Sequence, residues 1–179
     1  MSQVASAYAQ ALYDLAKEEN LTEVILQQMT VLQQSFEEEP DFLRLMGAAN
    51  LSKEERCQIL DEAFRGKTEP YVLNFMKILT EKGYMRYFSD CAKAYRDAYN
   101  ADHGILPVKA VTALPLTQDQ IQRLTQKLAK ITGKSIDLSC RTDPSILGGV
   151  RLDYDGKRVD GTVQSRLDAI GKLLKNTVL

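Results

Sequence analysis

The hydrophobic period of this chain changes once, near Gly104, and that change limits the folds open to it. Before Gly104 the apolar residues recur at helical spacing between short breaks. Ser2 caps a helix that runs to about Glu19 and stops at Asn20. A second carries Leu21, Val24, Ile25, Val31, Leu32 and Phe36 and ends in Glu37, Glu38 and Glu39. Pro40 then starts a short third helix through Phe42, Leu43, Leu45 and Met46, ended by Gly47. Ser52-Lys53-Glu54-Glu55 is a Ser-x-x-Glu capping box ahead of Ile59, Leu60, Ala63 and Phe64, with Gly66 as its stop. Thr68 and Pro70 mark a fifth start, running to about Lys82. Beyond Gly83, Met85, Phe88, Ala92, Tyr95 and Tyr99 mark a sixth helix. Six helices in about 100 residues, joined this tightly, must fold back on one another into a bundle.

After Gly104 the pattern alternates. Ile105 to Val111 reads as a strand, which Pro107 confines to a sheet edge or to a start just beyond that position. Thr117 to Gln120 is a second capping box, and Ile121, Leu124, Leu128 and Ile131 hold one helical face until Gly133. Ile136, Leu138 and Cys140 alternate with Asp137, Ser139 and Arg141 as in a half-buried strand. Asp155-Gly156 is a two-residue hairpin loop of the type that needs positive φ. It places Tyr154 opposite Lys157, Asp153 opposite Arg158, Leu152 opposite Val159 and Arg151 opposite Asp160. Two opposite-charge pairs then share one face and an apolar pair takes the other. A final helix from about Thr162 carries Val163, Leu167, Ile170, Leu173 and Leu174. The expectation is an α+β protein: an N-terminal six-helix bundle over residues 1–104, then a small two-layer α/β domain over residues 105–179, a mixed sheet with two helices.

Charge divides at the same place. Residues 1–104 carry 11 basic against 17 acidic side chains, a net of −6, and residues 105–179 carry 12 against 7, a net of +5. Either these are solubilising surfaces, or the two halves meet different partners. With 44% apolar and 26% charged residues the chain is neither disordered nor fibrous. No apolar run approaches the roughly 20 residues of a membrane span, and Met1 to Gln10 lacks a secretion signal. Cys57, Cys91 and Cys140 are too scattered for a disulfide framework or a zinc site, which fits a reducing compartment.

Catalytic chemistry finds no foothold. His103 is the sole histidine and lies in the apparent linker, where a solvated turn residue is the ordinary reading. Without a second histidine or clustered cysteines, neither a nucleophile–base pair nor a metal site can be assembled. Gly66-Lys67-Thr68 and Gly133-Lys134-Ser135 resemble phosphate loops, but the required upstream glycine is Asp61 in one and Leu128 in the other. Asp153-Tyr154-Asp155-Gly156 resembles the start of a calcium loop but lacks the later ligands. The basic half admits an alternative, a nucleic-acid-binding protein that reads duplex shape. Tyr154 is that half's sole aromatic, so it offers no platform for stacked bases.

Two helices are more apolar than one buried face requires. From Val4 to Ala16, ten of thirteen residues are apolar, and Ser6, Gln10 and Asp14 form one narrow polar stripe. From Tyr71 to Leu79, seven of nine are apolar, leaving Asn74 and Lys77. Either both helices are buried internally, or together they line an exposed groove for an amphipathic helix of another protein.

The most specific motif is Asp143-Pro144-Ser145-Ile146-Leu147-Gly148-Gly149-Val150-Arg151-Leu152, followed by Asp160-Gly161-Thr162-Val163-Gln164-Ser165-Arg166-Leu167. With Ala5-Ser6-Ala7-Tyr8-Ala9-Gln10-Ala11-Leu12-Tyr13 and Asn74-Phe75-Met76-Lys77-Ile78-Leu79, it resembles the delta subunit family of the F-type rotary ATP synthase. The mitochondrial counterpart of that family is the oligomycin-sensitivity-conferring protein. The resemblance spans essentially the whole chain. Thr162 stands where the family usually has Ser, which keeps a hydroxyl for helix capping. After Gly83 the family often has Arg directly, whereas this chain has Tyr84 and then Arg86.

The resemblance implies a non-catalytic stator subunit with no cofactor, no metal and no catalytic residues. It implies that the N-terminal bundle takes the N-terminal helix of a catalytic-head alpha subunit between helices one and five. Tyr8, Ala11, Leu12, Leu15, Phe75, Ile78 and Leu79 are then the groove candidates. It implies that the C-terminal domain holds the b subunits of the peripheral stalk, so that the head resists rotor torque and proton or sodium flow is coupled to ATP synthesis. Gly148, Gly149, Asp160, Gly161, Thr162, Arg166 and Leu167 are its signature positions, the glycines serving backbone conformation and close packing. Arg166, Lys172 and Lys175 either meet an acidic stalk or are solvated. No nucleic acid and no direct membrane insertion are implied; the expected place is the cytoplasmic face of a bacterial cell membrane, within the synthase complex.

Overall fold

The computed structural model describes residues 3–48 and 50–165. The protein is α+β and divides into two compact units, residues 1–99 and residues 100–179. The Ser2 cap, and the final helix at Arg166, Leu167, Ile170, Lys172, Leu173, Leu174 and Lys175, lie outside the described residues.

The first unit contains α1 (Gln3–Glu18), α2 (Thr22–Glu38), α3 (Pro40–Met46), α4 (Lys53–Phe64), α5 (Pro70–Glu81) and α6 (Phe88–Asp102), the last of which continues past Tyr99. Local chemistry sets these ends. Asn20 takes a positive φ of 58° between α1 and α2. The box at α4 is complete: Glu55 N–H donates to Ser52 Oγ at 3.1 Å and Ser52 N–H to Glu55 Oε2 at 2.8 Å. Thr68 does not cap α5. Its hydroxyl instead donates to the Phe64 carbonyl at 3.3 Å, closing the end of α4, while Glu69 precedes Pro70 and donates its N–H to Gln28 Oε1 at 2.8 Å. The sixth segment also differs from expectation, because a 3₁₀ turn at Met85–Tyr87 leads into α6 and the regular helix begins at Phe88.

The interior of this unit is built from Ala5, Ala9 and Leu12 of α1, Ile25, Met29 and Phe36 of α2, Leu60 of α4, Val72, Phe75 and Leu79 of α5, and Phe88 and Tyr95 of α6. Phe36 is its aromatic hub, stacked on Phe42 at 5.1 Å and edge-on to Phe88 at 5.0 Å. The buried Tyr95 hydroxyl is satisfied by the Thr22 carbonyl at 3.0 Å.

The second unit contains β1 (Ile105–Thr112), α7 (Gln118–Thr132), β2 (Ser135–Thr142), β3 (Val150–Tyr154) and β4 (Lys157–Asp160). The strands form one mixed sheet in the order β2-β1-β3-β4, parallel between β1 and β2 and antiparallel elsewhere. α7 starts on a complete Thr117/Gln120 capping box and ends at Gly133, which takes φ +66°. The hairpin has the register its sequence dictates, with Asp155 and Gly156 at φ 48° and 69°. Of its two charge pairs, Arg158 and Asp153 meet at 2.6 Å, whereas Arg151 reaches Asp153 at 3.9 Å and Asp160 turns to the Thr162 N–H instead.

Pro107 corrects the reading of β1, which is a central strand with Pro107 inside it. The pairing with β3 begins only at Val108, opposite Tyr154, and the next residue of that chain is the hairpin turn. Proline therefore sits where the neighbouring strand has already ended, and its missing N–H leaves no ladder bond unmade.

Candidate functional site

Two contacts link the ends of α1 and α5 in opposite order. Tyr8, in the first half of α1, meets Tyr84, just past α5, edge-on at 6.0 Å. At the other end Glu19, just past α1, accepts a hydrogen bond from Tyr71 in the first turn of α5; burial first, and then that carboxylate, raises the Tyr71 phenol above its ordinary range. Tyr8, Ala11 and Leu15 share one face of α1 at helical spacing, and Tyr71, Asn74 and Ile78 share one face of α5.

Burial sorts the candidate groove residues. Ala11 is exposed, Ile78 is 44% exposed, and Tyr8 and Leu15 are half-buried. Leu12, Phe75 and Leu79, at 4%, 5% and 1% exposure, belong to the interior and can offer nothing to a partner without repacking the unit. The apolar excess of α5 is thus mostly internal. Its polar flank is tied down as well: Lys77 Nζ pairs with Asp61 Oδ1 of α4 at 2.6 Å, and the Lys77 ammonium, foremost, holds the Asp61 carboxyl below its usual range. Beyond α5, the Tyr84 ring that meets Tyr8 also meets the Tyr87 ring at 6.2 Å, and the Arg86 guanidinium lies 4.7 Å from the Tyr87 ring centre. Sequence reasoning did not bring Tyr84 to Tyr8, although Tyr84 was visible as a departure from the usual motif.

The second unit presents a different kind of surface. Leu106 and Val108 of β1, Leu152 and Tyr154 of β3, and Val159 of β4 share the sheet face that carries α7. With Leu128, Ile131 and Thr132 of α7 they line an apolar cavity of about 220 Å³. None of α7 is fully buried, Ile131 is 81% exposed and Val159 49%. Among the described residues this face is only half covered.

The signature residues form a backbone clasp. Gly161 N–H donates to the Val150 carbonyl at 3.0 Å and Val163 N–H to the Gly148 carbonyl at 3.0 Å, joining the start of β3 to the segment after β4. Gly149 takes φ +88°, and a Cβ there would stand 2.5 Å from the Gly161 carbonyl oxygen. Asp160 Oδ1 accepts the Thr162 N–H at 3.0 Å, and Thr162 Oγ1 accepts the Ser165 N–H at 3.3 Å, a capping bond for the turn that follows. Arg166 and Leu167 lie outside the described residues.

Reactive groups do not converge. Burial raises the Cys91 thiol to about 12, and desolvation, foremost, also raises Cys57, which lines a polar cavity of about 400 Å³ with Lys53, Glu54, Glu81 and Lys82. Both thiols are held in their unreactive form. Among the described residues no group of three acidic, cysteine or histidine side chains could hold a metal ion, and no helix is long and apolar enough to cross a membrane.

A family model described as ATP synthase delta (OSCP) subunit matches residues 4–174. The chain belongs to that family. It is 32% identical over 173 residues to ATP synthase subunit delta of Lactobacillus gasseri, covering 96% of this chain and 94% of that one. It is 30% identical to the subunit delta of Alkaliphilus oremlandii and 28% identical to that of Clostridioides difficile, each over 98% of this chain and 97% or more of the relative. Its fold matches a chain of the mitochondrial ATP synthase hexamer of Toxoplasma gondii with a TM-score of 0.76, at 19% identity, over 97% of this chain and 98% of that one. As a member of the delta family it is a non-catalytic stator subunit of an F-type ATP synthase, a membrane-associated complex. The duplex-reading alternative gains no support from any of these relatives.

Proposed function

We propose that residues 1–104 act as a six-helix bundle that takes the N-terminal helix of an alpha subunit along the seam between α1 and α5, and that residues 105–179 hold the peripheral-stalk b subunits. The observation that carries the first half is the pairing of two accessible apolar faces, Tyr8, Ala11 and Leu15 on one helix and Ile78 on the other, along helices whose ends meet in opposite order. An amphipathic helix laid there would bury its apolar side against both. The second half draws support from the half-covered apolar face around Ile131 and Val159, in a segment of net positive charge. A chain gripped at both ends ties head to stalk, so that the turning rotor works on the catalytic sites instead of spinning the head, at the cytoplasmic face of a bacterial membrane. That duty requires tight, slowly dissociating contacts.

The test is calorimetric titration of the full chain with a peptide copying about the first 20 residues of an alpha subunit from the same organism. One-to-one binding is expected, lost in Ala11→Asp and in Ile78→Asp, both at accessible positions where the fold tolerates a charge. A folded chain that ignores the peptide, or binds it equally well in both variants, overturns the seam as the docking site.

A further inference from the structure

Charge is distributed unevenly around the half-covered face of the second unit. Leu152 and Tyr154 of β3 share the face that carries α7 with Lys157 and Val159 of β4. The carboxylates of the strands, Asp137, Asp153 and Asp160, all stand on the opposite face. Lys157, exposed and cross-strand from Tyr154, is therefore the one charge that the four strands present beside the cavity. α7 is lopsided in the same sense. On the Ile131 side of its apolar stripe the flank holds Arg123, Lys127 and Lys130, whereas the other flank holds the uncharged Gln122 and Ala129. Ile131 is also the stripe residue that protrudes most, so the basic flank adjoins the open part of the face. Arg123 is engaged by Asp119 at 3.0 Å, but Lys127, Lys130 and Lys157 make no ion pair among the described residues.

We propose that this face takes an amphipathic helix whose apolar stripe is flanked by carboxylates, laid beside α7 over β3 and β4. The inference rests on the reading that residues 105–179 hold the stalk, and it names the chemistry of the stalk segment they hold. Apolar side chains of the incoming helix enter the cavity among Leu128, Ile131, Tyr154 and Val159. Its carboxylates meet Lys127 and Lys130 on one side and Lys157 on the other, which fixes the helix over the cavity and rejects a basic one. The chain's own residues 166–179 do not supply that complement, because they carry three basic side chains against one acidic. A recess also suits a helix better than a lipid surface, which has no side chains to send into it.

Fluorescence anisotropy of labelled peptides with the full chain tests the charge pattern, with circular dichroism as the check on folding. Three helical peptides of about 20 residues share one leucine stripe and carry Glu, Gln or Lys on its flanks. The Glu peptide is expected to bind one-to-one, the Gln peptide about tenfold more weakly, and the Lys peptide not measurably. Lys127→Glu and Lys157→Glu should each weaken the Glu peptide about fivefold. Arg141→Glu, the same change of charge on the opposite sheet face, should leave it within about twofold. Equal affinity for the three peptides, a folded chain that takes none of them, or an Arg141→Glu variant as weak as Lys157→Glu overturns the proposal. So does binding to phosphatidylglycerol vesicles that the lysine variants lose and the Glu peptide cannot displace. Titration with the soluble segment of a b subunit from the same organism separates this proposal from the stalk reading. Equal binding to wild type and to K127E/K157E overturns the acidic-helix chemistry and leaves the stalk reading standing. A segment that binds neither, while the peptides behave as expected, overturns the stalk reading and upholds the acidic-helix site.

Discussion

α5 and α7 are both amphipathic and similar in length, yet α5 buries Val72, Leu73, Phe75, Met76, Leu79 and Thr80 while α7 buries no residue fully. The difference lies in their neighbours. α5 packs against α2, α4 and the 3₁₀ turn, so side chains on most of its circumference find a partner. α7 rests on one face of a sheet beside β2. A helix of either kind could have been drawn from sequence with the same apolar stripe, so the stripe says that a face is hidden and the surroundings say how completely. Among the described residues, the second unit keeps an apolar face half open.

The sharpest way to break that contrast is truncation in each interior. Phe88→Ala, in the aromatic cluster around Phe36, is expected to cost about 4 kcal/mol in urea denaturation, whereas Leu128→Ala on the half-covered face of α7 should cost about 1 kcal/mol. Equal losses would mean that the second unit is as tightly packed as the first.

Glycine gives the next largest contrast. Gly149→Ala combines a positive φ with a backbone oxygen 2.5 Å from the new methyl group and should cost about 3 kcal/mol. Gly83→Ala in the first unit shares the positive φ but meets nothing within 4 Å, so about 1 kcal/mol is expected. If the two variants were alike, the clasp between Gly148–Val150 and Gly161–Val163 would not be holding the second unit together.

Acid separates the regions least. Asp153 is held below its ordinary range mainly by Arg158, and Asp160 mainly by the Thr162 hydrogen bonds. Their folded pKa values lie below the unfolded value of about 3.9, so the folded state binds fewer protons, and the stability they contribute is present above that value. It is lost as the pH falls through the folded values. Asp153→Asn should therefore be less stable than wild type at neutral pH, with the gap closing as the pH drops below about 4, followed by circular dichroism of the hairpin unit. A gap that stays constant with pH would mean that the Arg158 pair contributes no charge-dependent stability.

Local signals in this chain were legible because their physics is local. The Ser52 and Thr117 boxes, the Asp155-Gly156 turn and its register, and the switch of period near Gly104 each depend on residues within a few positions of one another. The candidate groove residues were half legible: the sequence marked α1 and α5 as over-apolar, but Leu12, Phe75 and Leu79 are buried while Ala11 and Ile78 are exposed. Which side a helix shows depends on which helices surround it, and residues far apart in the chain decide that.

By itself, then, the sequence determined the element types, most of their boundaries, the hairpin register and the family. Only the tertiary structure decided that β1 is central despite Pro107, that the ends of α1 and α5 meet in opposite order, and that Gly149 must be glycine because the Gly161 carbonyl presses against it. Those outcomes follow from where one strand stops beside another, which helices become neighbours and how closely two backbone segments approach. All three are set by long-range packing, which leaves no periodic trace along the chain.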